Sequence, residues 1–139
     1  MKKILFILFF GISPAYAESI NRVVDGDTVI LNDANPPKEF LQNQGRLIGI
    51  DTPESRKAKC AKEKQLGLEA KKFTENFLAK KGDIVVNYFP NAETKKGWDS
   101  FGRYLITIEK NGKDLADELV RAGLAVYYDG ITKTKDWCK

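Results

Sequence analysis

The sequence predicts an α+β domain in which a small barrel of five β-strands is flanked by α-helices. Short runs rich in β-branched and aromatic residues recur along the chain. One long segment with helical spacing of its apolar residues separates the third such run from the fourth. Glycine-containing turn signals follow several of the runs, as expected of a compact sheet with tight connections.

The first three strands are predicted near the N-terminus of this domain. INRVVDGDTVIL, residues 20–31, places β-branched residues on both sides of Asp-Gly, which is typical of a strand, a tight turn and a second strand. A polar stretch with two prolines, residues 32–45, follows. The apolar run RLIGI, residues 46–50, is then the third predicted strand and should be buried.

The long helix is predicted over residues 56–81, where Leu66, Ala70, Phe73 and Phe77 recur at helical spacing. It should end near Gly82, because glycine suits the position after a helix C-terminus.

The second half repeats the strand pattern. Strands are predicted over 84–89 and 104–109, and Asn111-Gly112 should form a tight turn. A short helix over 113–122 and a last strand over 124–128 complete the chain. This order fits the oligonucleotide-binding barrel, the common small barrel of this kind.

The N-terminal segment predicts export. Residues 1–17 contain two lysines, an apolar stretch from Ile4 to Ile12 and Ala15-Tyr16-Ala17, the small-x-small pattern of signal peptidase sites. The apolar stretch is much shorter than the roughly 20 residues that span a bilayer, so we expect no stable membrane anchor. The mature domain is therefore predicted over 18–139, as a secreted or periplasmic monomer.

Composition excludes several chemistries. The chain has no histidine, which rules out serine–histidine triads, cysteine–histidine dyads and histidine-based metal sites. Without Lys2 and Lys3 the balance is 21 basic to 19 acidic side chains, so net charge alone identifies no partner. Five of the basic residues lie in 56–64, either as solvated surface or as a local positive patch.

Two cysteines, Cys60 and Cys138, lie far apart and form no metal-binding CxxC pair. In an oxidising compartment we expect a disulfide between them. A buried free thiol is the alternative.

Two acidic motifs carry the functional hypothesis. Asp27 lies in the predicted Asp-Gly turn, and Asp51-Thr52-Pro53-Glu54 follows the third strand. Each has a structural interpretation, the first as a turn and the second as a helix start. Together they predict an oxygen-only site for a hard cation, calcium or magnesium, at one mouth of the barrel.

Two arginines accompany these acids. Arg46 begins the third predicted strand, and Arg103 precedes a later one. Two guanidinium groups provide the bidentate donors that suit a phosphodiester undergoing cleavage. The alternative for each arginine is an ordinary surface ion pair.

The motifs DGDTV, RLxxIDTPE and FGRYL, followed by DLADELVRAGLA, together resemble the staphylococcal nuclease family, in order from about Val23 to Val126. The resemblance implies a five-stranded oligonucleotide-binding barrel and a calcium-dependent phosphodiesterase that acts on DNA and RNA and leaves 3′-phosphate ends. At the matching positions it implies Asp27, Asp51 and the Thr52 carbonyl as calcium ligands, Glu54 as the residue that orients or deprotonates water, and Arg46 and Arg103 as phosphate-binding residues.

Parts of the family pattern do not carry over. Ser100 and Phe101 stand where the best-known members have a lysine and a tyrosine. Tyr127 and Tyr128 lie near the base-stacking tyrosines of the family, but packing against the core is an equal interpretation. Besides the nuclease, two hypotheses stay open: a nucleic-acid-binding barrel without catalysis, and an exported partner-binding domain.

Overall fold

The computed structural model describes residues 19–32, 43–89 and 97–139. The predicted signal peptide, 1–17, and most of the polar stretch 32–45 lie outside these ranges, so both remain predictions. None of the helices in the described ranges is long and apolar enough to cross a membrane.

The described residues form eight strands and two helices in the predicted order. They are β1 Ile20–Asp25, β2 Thr28–Leu31, β3 Gln44–Leu47, β4 Ile50–Asp51, α1 Ala61–Ala79, β5 Ile84–Phe89, β6 Tyr104–Lys110, β7 Lys113–Asp114, α2 Leu115–Arg121 and β8 Val126–Tyr127.

The main sheet contains five longer strands in the order β1-β2-β3-β6-β5, and the short β7 pairs with β6. Neighbouring strands are antiparallel except for β3 and β6, which run parallel, with Gly45 opposite Tyr104 and Arg46 opposite Leu105. The short strands β4 and β8 form a separate antiparallel pair. The α+β prediction is confirmed, with α1 between the third and fourth of the five longer strands in sequence.

The core lies between this sheet and the two helices. Ile106, Ile108, Leu115 and Leu119 are fully buried, and Leu78 from α1 joins them. The alternation of buried and exposed residues along β6 follows the two-residue repeat of a strand.

The predicted strand 46–50 is interrupted. Ile48 and Gly49 form a turn between β3 and β4, and Gly49 has a φ of +80°, which glycine adopts without strain. The break turns the chain out of the main sheet, so that Ile50 and Asp51 pair with β8 instead.

The long helix begins later than predicted, at Ala61. Cys60 is its N-cap, because its Sγ accepts a hydrogen bond from the Glu63 amide while the Glu63 carboxylate accepts one from the Lys59 amide. The interpretation of 51–54 as a helix start is therefore wrong: Thr52, Pro53 and Glu54 lie in an irregular segment before α1.

At its other end α1 stops at Ala79, near the predicted position, but its C-cap is Lys80 in an extended conformation rather than a glycine. Lys110 Nζ donates a hydrogen bond of 2.5 Å to the Leu78 carbonyl, which satisfies one of the acceptors left free in the last turn. The predicted Asn111-Gly112 turn is confirmed, with positive φ at both residues.

Candidate active site

Three neighbouring chain segments bring the predicted acidic residues and the first arginine together. Asp27 lies in the turn between β1 and β2, Arg46 in β3 and Asp51 in β4. The β2–β3 ladder places Thr28 opposite Arg46, and the Leu47 amide donates a 2.8 Å hydrogen bond to the Asp27 carbonyl. The backbone therefore fixes Asp27 and Arg46 relative to each other before any side chain is considered, and β4 pairs Asp51 with Val126.

The Arg46 guanidinium lies between the two aspartates. Its Nη1 is 3.0 Å from Asp27 Oδ2, and its Nη2 is 3.9 Å from Asp51 Oδ1. The same two nitrogens donate to the carbonyl oxygens of Leu47 and Ile50 at 2.8 and 3.0 Å. All three charged side chains are about nine-tenths buried or more, so these ion pairs are weakly screened.

Asp27 is held by hydroxyl groups close by. Thr28 Oγ1 donates to Asp27 Oδ1 at 2.9 Å, and Thr52 Oγ1 donates to Asp27 Oδ2 at 2.8 Å. Each carboxylate oxygen thus has a neutral donor, and Oδ2 has the guanidinium as well. The family resemblance implied a role only for the Thr52 backbone carbonyl, so this contact of its hydroxyl was not predicted.

Asp51 is held by residues from the C-terminal segment, which the sequence analysis did not connect with this site. Lys133 Nζ is 3.1 Å from Asp51 Oδ1. Trp137 Nε1 donates a long hydrogen bond of 3.5 Å to Asp51 Oδ2. These residues follow Asp51 by more than eighty positions, and no local pattern in the sequence indicates the contact.

Glu54 follows this cluster and is half-buried. Burial is the main cause that raises its pKa, and the negative charges of Asp27, Asp25 and Asp51 raise it further against the opposing charge of Lys133. Two of these aspartates, Asp27 and Asp51, are the acids paired with Arg46. Asp25 itself accepts a hydrogen bond from Ser55.

A narrow face of α1 supports both acidic segments. A Cβ atom on Gly67 would lie 2.5 Å from the backbone of Glu54, and one on Gly26 would lie 2.7 Å from Ala70. Thr74 Oγ1 donates a 2.6 Å hydrogen bond to the Gly26 carbonyl. Small residues at these positions let the Asp27 turn and the Glu54 segment lie directly on the helix.

Arg103 is placed by a different device. Its Nε pairs with Asp99 Oδ2 at 2.7 Å, and its guanidinium carbon lies 5.3 Å from the centre of the Phe101 ring. Asp99 Oδ1 also accepts hydrogen bonds from the backbone amides of Phe101 and Arg103. Among the described residues, these contacts of Arg103 are with its own loop, and Arg103 immediately precedes β6, the strand that pairs in parallel with the Arg46 strand β3.

The two tyrosines differ in exposure. Tyr127 is 67% exposed, and its hydroxyl donates to Asp117 Oδ1 at 3.3 Å. Tyr128 is partly buried, and its amide donates to the Gly49 carbonyl. Both line a shallow depression together with Gly49 and Asp129. Neither is packed into the hydrophobic core, and their base-stacking role stays a prediction.

Cys60 and Cys138 form a disulfide, which confirms that prediction. The bond joins the N-cap of α1 to the C-terminal segment. Cys60 follows Asp51 by nine residues, and Cys138 follows Trp137 by one. The disulfide therefore ties together the two segments that meet at the Asp51 carboxylate.

The donors at the cluster fit a hard cation. Asp27 and Asp51 bring two carboxylates together around Arg46, and calcium and magnesium prefer carboxylate and carbonyl oxygens as ligands. The Thr52 carbonyl stays a predicted ligand. Within the described ranges no three acidic, histidine or cysteine side chains are grouped closely enough to hold a metal ion. A cation here would therefore rely on two carboxylates and take its other ligands from carbonyl, water or substrate oxygens.

Two comparisons with known proteins give the same result. The family model described as staphylococcal nuclease homologue matches residues 44–137. A thermonuclease of Staphylococcus hyicus is 31% identical over 117 residues, which cover 83% of this chain and 62% of that protein. The chain thus spans less than two thirds of the length of this relative.

Proposed function

Because the chain belongs to the staphylococcal nuclease family, we propose that it is an exported nuclease that hydrolyses phosphodiester bonds in DNA and RNA with the help of Ca²⁺. We further propose that it acts as a monomer and leaves 3′-phosphate ends.

The observation that carries this proposal is the position of the Arg46 guanidinium between the carboxylates of Asp27 and Asp51, at 3.0 and 3.9 Å. A group with a strong positive charge is already bound where two buried acids converge. A bound divalent cation would offer its positive charge to the two carboxylates. A bound phosphate group would offer its negative charge to the guanidinium.

The acidic residues have two separate roles in the proposal. Asp27, Asp51 and the Thr52 carbonyl would hold Ca²⁺, which when bound supplies positive charge that offsets the charge of the scissile phosphate. Glu54 would orient the attacking water and accept its proton. Its raised pKa suits this role, because a more basic carboxylate accepts a proton more readily at neutral pH.

The arginines would act on the phosphate. Arg46 and Arg103 would donate hydrogen bonds to its non-bridging oxygens, with more effect as negative charge builds up during the attack of water. The bond to the 5′ oxygen then breaks, and this oxygen leaves as a hydroxyl group with a proton taken from water. Arg103 already uses its Nε for Asp99, so its terminal amino groups would make this contact. Tyr127 and Tyr128 would provide stacking surfaces for bases beside the site.

Two features support export. The disulfide between Cys60 and Cys138 fits an oxidising compartment. The sequence of residues 1–17 fits a cleaved signal peptide.

Cleavage assays with single-stranded and duplex DNA and with RNA test the proposal. We expect cleavage in Ca²⁺ and none after chelation. Glu54→Gln and Arg103→Ala should each lower the rate by about 100-fold or more, the scale for losing a general base or a transition-state donor.

Glu109→Gln and Arg22→Ala are matched controls, because both residues are exposed on strands of the main sheet. They should cleave like the unmodified protein. Calcium-independent cleavage would contradict the metal assignment, and nucleic-acid binding without cleavage would favour the non-catalytic barrel.

A further inference from the structure

The C-terminal segment 133–138 contacts both oxygens of the Asp51 carboxylate. Lys133 Nζ lies 3.1 Å from Oδ1, and Trp137 Nε1 lies 3.5 Å from Oδ2. The two contacts differ in kind, since one brings a full positive charge on an exposed side chain and the other a neutral N–H from a buried ring.

This segment is anchored by side chains rather than by the sheet. Residues 132–136 lie in neither helix nor strand. The segment is fixed by the Cys60–Cys138 disulfide, by burial of the Trp137 ring, which is 7% exposed, and by a hydrogen bond from Lys62 to the Lys139 carbonyl. All of these anchors lie within two residues of Trp137.

We propose that Trp137, held in place by the Cys60–Cys138 disulfide, is a positioning residue that orients the Asp51 carboxylate for cation binding, and that Lys133 occupies the cation-facing oxygen until a cation displaces it. The inference rests on the proposed function, because it takes Asp51 as a calcium ligand.

The chemistry of the two donors separates their roles. An indole N–H donates but brings no net charge, so it can hold Oδ2 while the carboxylate keeps its full charge for a cation at Oδ1. Hydrogen bonds from outside the ligand set commonly fix the orientation of metal-binding carboxylates in this way. The Lys133 ammonium instead competes for the negative charge that a cation needs, and its 57% exposed side chain is free to move into water.

The two residues should therefore affect calcium affinity in opposite directions. Trp137→Phe keeps the aromatic ring but removes the N–H, and should weaken Ca²⁺ binding about 10-fold, the lower end of effects seen for such outer hydrogen bonds. Lys133→Met should tighten binding several-fold, because it removes the competing charge.

Calorimetric titration of the full mature protein with CaCl₂ alone measures both effects without any cleavage. Trp98→Phe is the matched control for the tryptophan change, and Lys113→Met, on the exposed end of the sheet, is the control for the lysine change. Both controls should bind Ca²⁺ like the unmodified protein. The double variant Cys60→Ser/Cys138→Ser should lose as much affinity as Trp137→Phe, and adding Trp137→Phe to it should cost little more.

Tryptophan fluorescence tests the contact between Trp137 and Asp51 directly. The chain has two tryptophans, so Trp98→Phe leaves Trp137 as the sole indole emitter. Its emission should shift when Ca²⁺ is added, and Asp51→Asn should shift it in the metal-free protein. A circular dichroism melt of each variant confirms that it is folded at the assay temperature.

The inference is overturned if Trp137→Phe binds Ca²⁺ like Trp98→Phe, or if Trp137→Phe and Lys133→Met change affinity in the same direction. Cleavage of DNA and RNA is measured in parallel, to distinguish this failure from failure of the proposed function. If the unmodified protein cleaves in Ca²⁺, the proposed function stands even when the positioning role of Trp137 is wrong. If the unmodified protein binds no Ca²⁺, the metal assignment fails, and an unchanged Trp137 emission in Asp51→Asn would overturn the contact as well.

Discussion

Asp27 and Asp51 have the same predicted role and similar burial, yet they are held by very different parts of the molecule. Asp27 takes its neutral donors from the hydroxyl groups of Thr28, the next residue in the chain, and Thr52. Asp51 takes its donors from Lys133 and Trp137, in a segment fastened to the domain by a disulfide.

The difference shows that one half of the site depends on the sheet and the other half on a covalent link. The Asp27 side is fixed by the β1–β2 turn and the β2–β3 ladder, which form part of the core. The Asp51 side is supported by the two-residue pairing between β4 and β8 and by the C-terminal segment. Changes to each support should therefore affect one aspartate and spare the other.

The largest expected effect comes from the covalent link. Cys60→Ser/Cys138→Ser should lower the free energy of unfolding by roughly 4 kcal/mol, the chain-entropy value for a loop of this length. Hydrogen exchange should also rise first in 133–138 and β4, and not in the β1–β2 turn. Urea unfolding with amide exchange measures both, and equal exchange on the two sides would contradict the comparison.

The shared guanidinium comes next. Arg46→Met in the metal-free protein should cost about 3 kcal/mol, because it leaves two buried carboxylates without their common partner. Double-mutant cycles with Asp27→Asn and Asp51→Asn should assign more of this coupling to Asp27, whose contact is shorter. Equal coupling energies would show that the guanidinium serves both sides alike.

A smaller change isolates the Asp27 side. Thr52→Val removes the hydroxyl at nearly constant shape and should cost about 1 kcal/mol, the usual value for one hydrogen bond. Thr107→Val is the control, since the Thr107 hydroxyl accepts a long 3.3 Å hydrogen bond from the exposed side chain of Asn87. Chemical denaturation gives both values, and a Thr52→Val protein as stable as the control would remove Thr52 from the support of Asp27.

The smallest effect should have the opposite sign. The pKa of Glu54 is raised in the folded protein, so its ionisation disfavours folding, and stability is lost as the pH rises from the ordinary glutamate pKa to the raised one. Glu54→Gln should therefore stabilise the metal-free protein slightly at neutral pH, with no gain below pH 4. The free energy of unfolding of Glu54→Gln is measured against pH, with Glu109→Gln as the control. A stability difference from the unmodified protein that does not depend on pH would argue against the electrostatic cause.

Local sequence patterns predicted the order of the main elements and the neighbourhood of Asp27 and Arg46. The Asp-Gly turn and its β-branched flanks predicted the β1–β2 hairpin, and the apolar spacing in 66–77 predicted α1. Asp27 and Arg46 meet because a hairpin and its neighbouring strand bring them together, which a short stretch of sequence already implies.

The contacts of Asp51 could not be predicted in the same way. Trp137 lies 86 residues away, and its position depends on a disulfide and on an irregular segment with no periodicity. Gly67 was missed for another reason. A glycine inside a predicted helix indicates only a slight loss of helix stability, whereas the importance of Gly67 comes from the Glu54 backbone that packs against it. The helix start was misplaced because the capping atom is the disulfide-bonded sulfur of Cys60, and cysteine is outside the usual set of capping residues.

The parallel pairing of β3 with β6 also determines when the site is completed during folding. Parallel neighbours cannot be joined by a tight turn, and here α1 and β5 lie between them in sequence. Arg46 in β3 and Arg103, which immediately precedes β6, are therefore brought together only after a long loop has closed, which is a slow step in the folding of sheet proteins. A chain emerging from the ribosome can form the Asp27 hairpin early, but it has no second arginine beside it until Arg103 has been synthesised and docked.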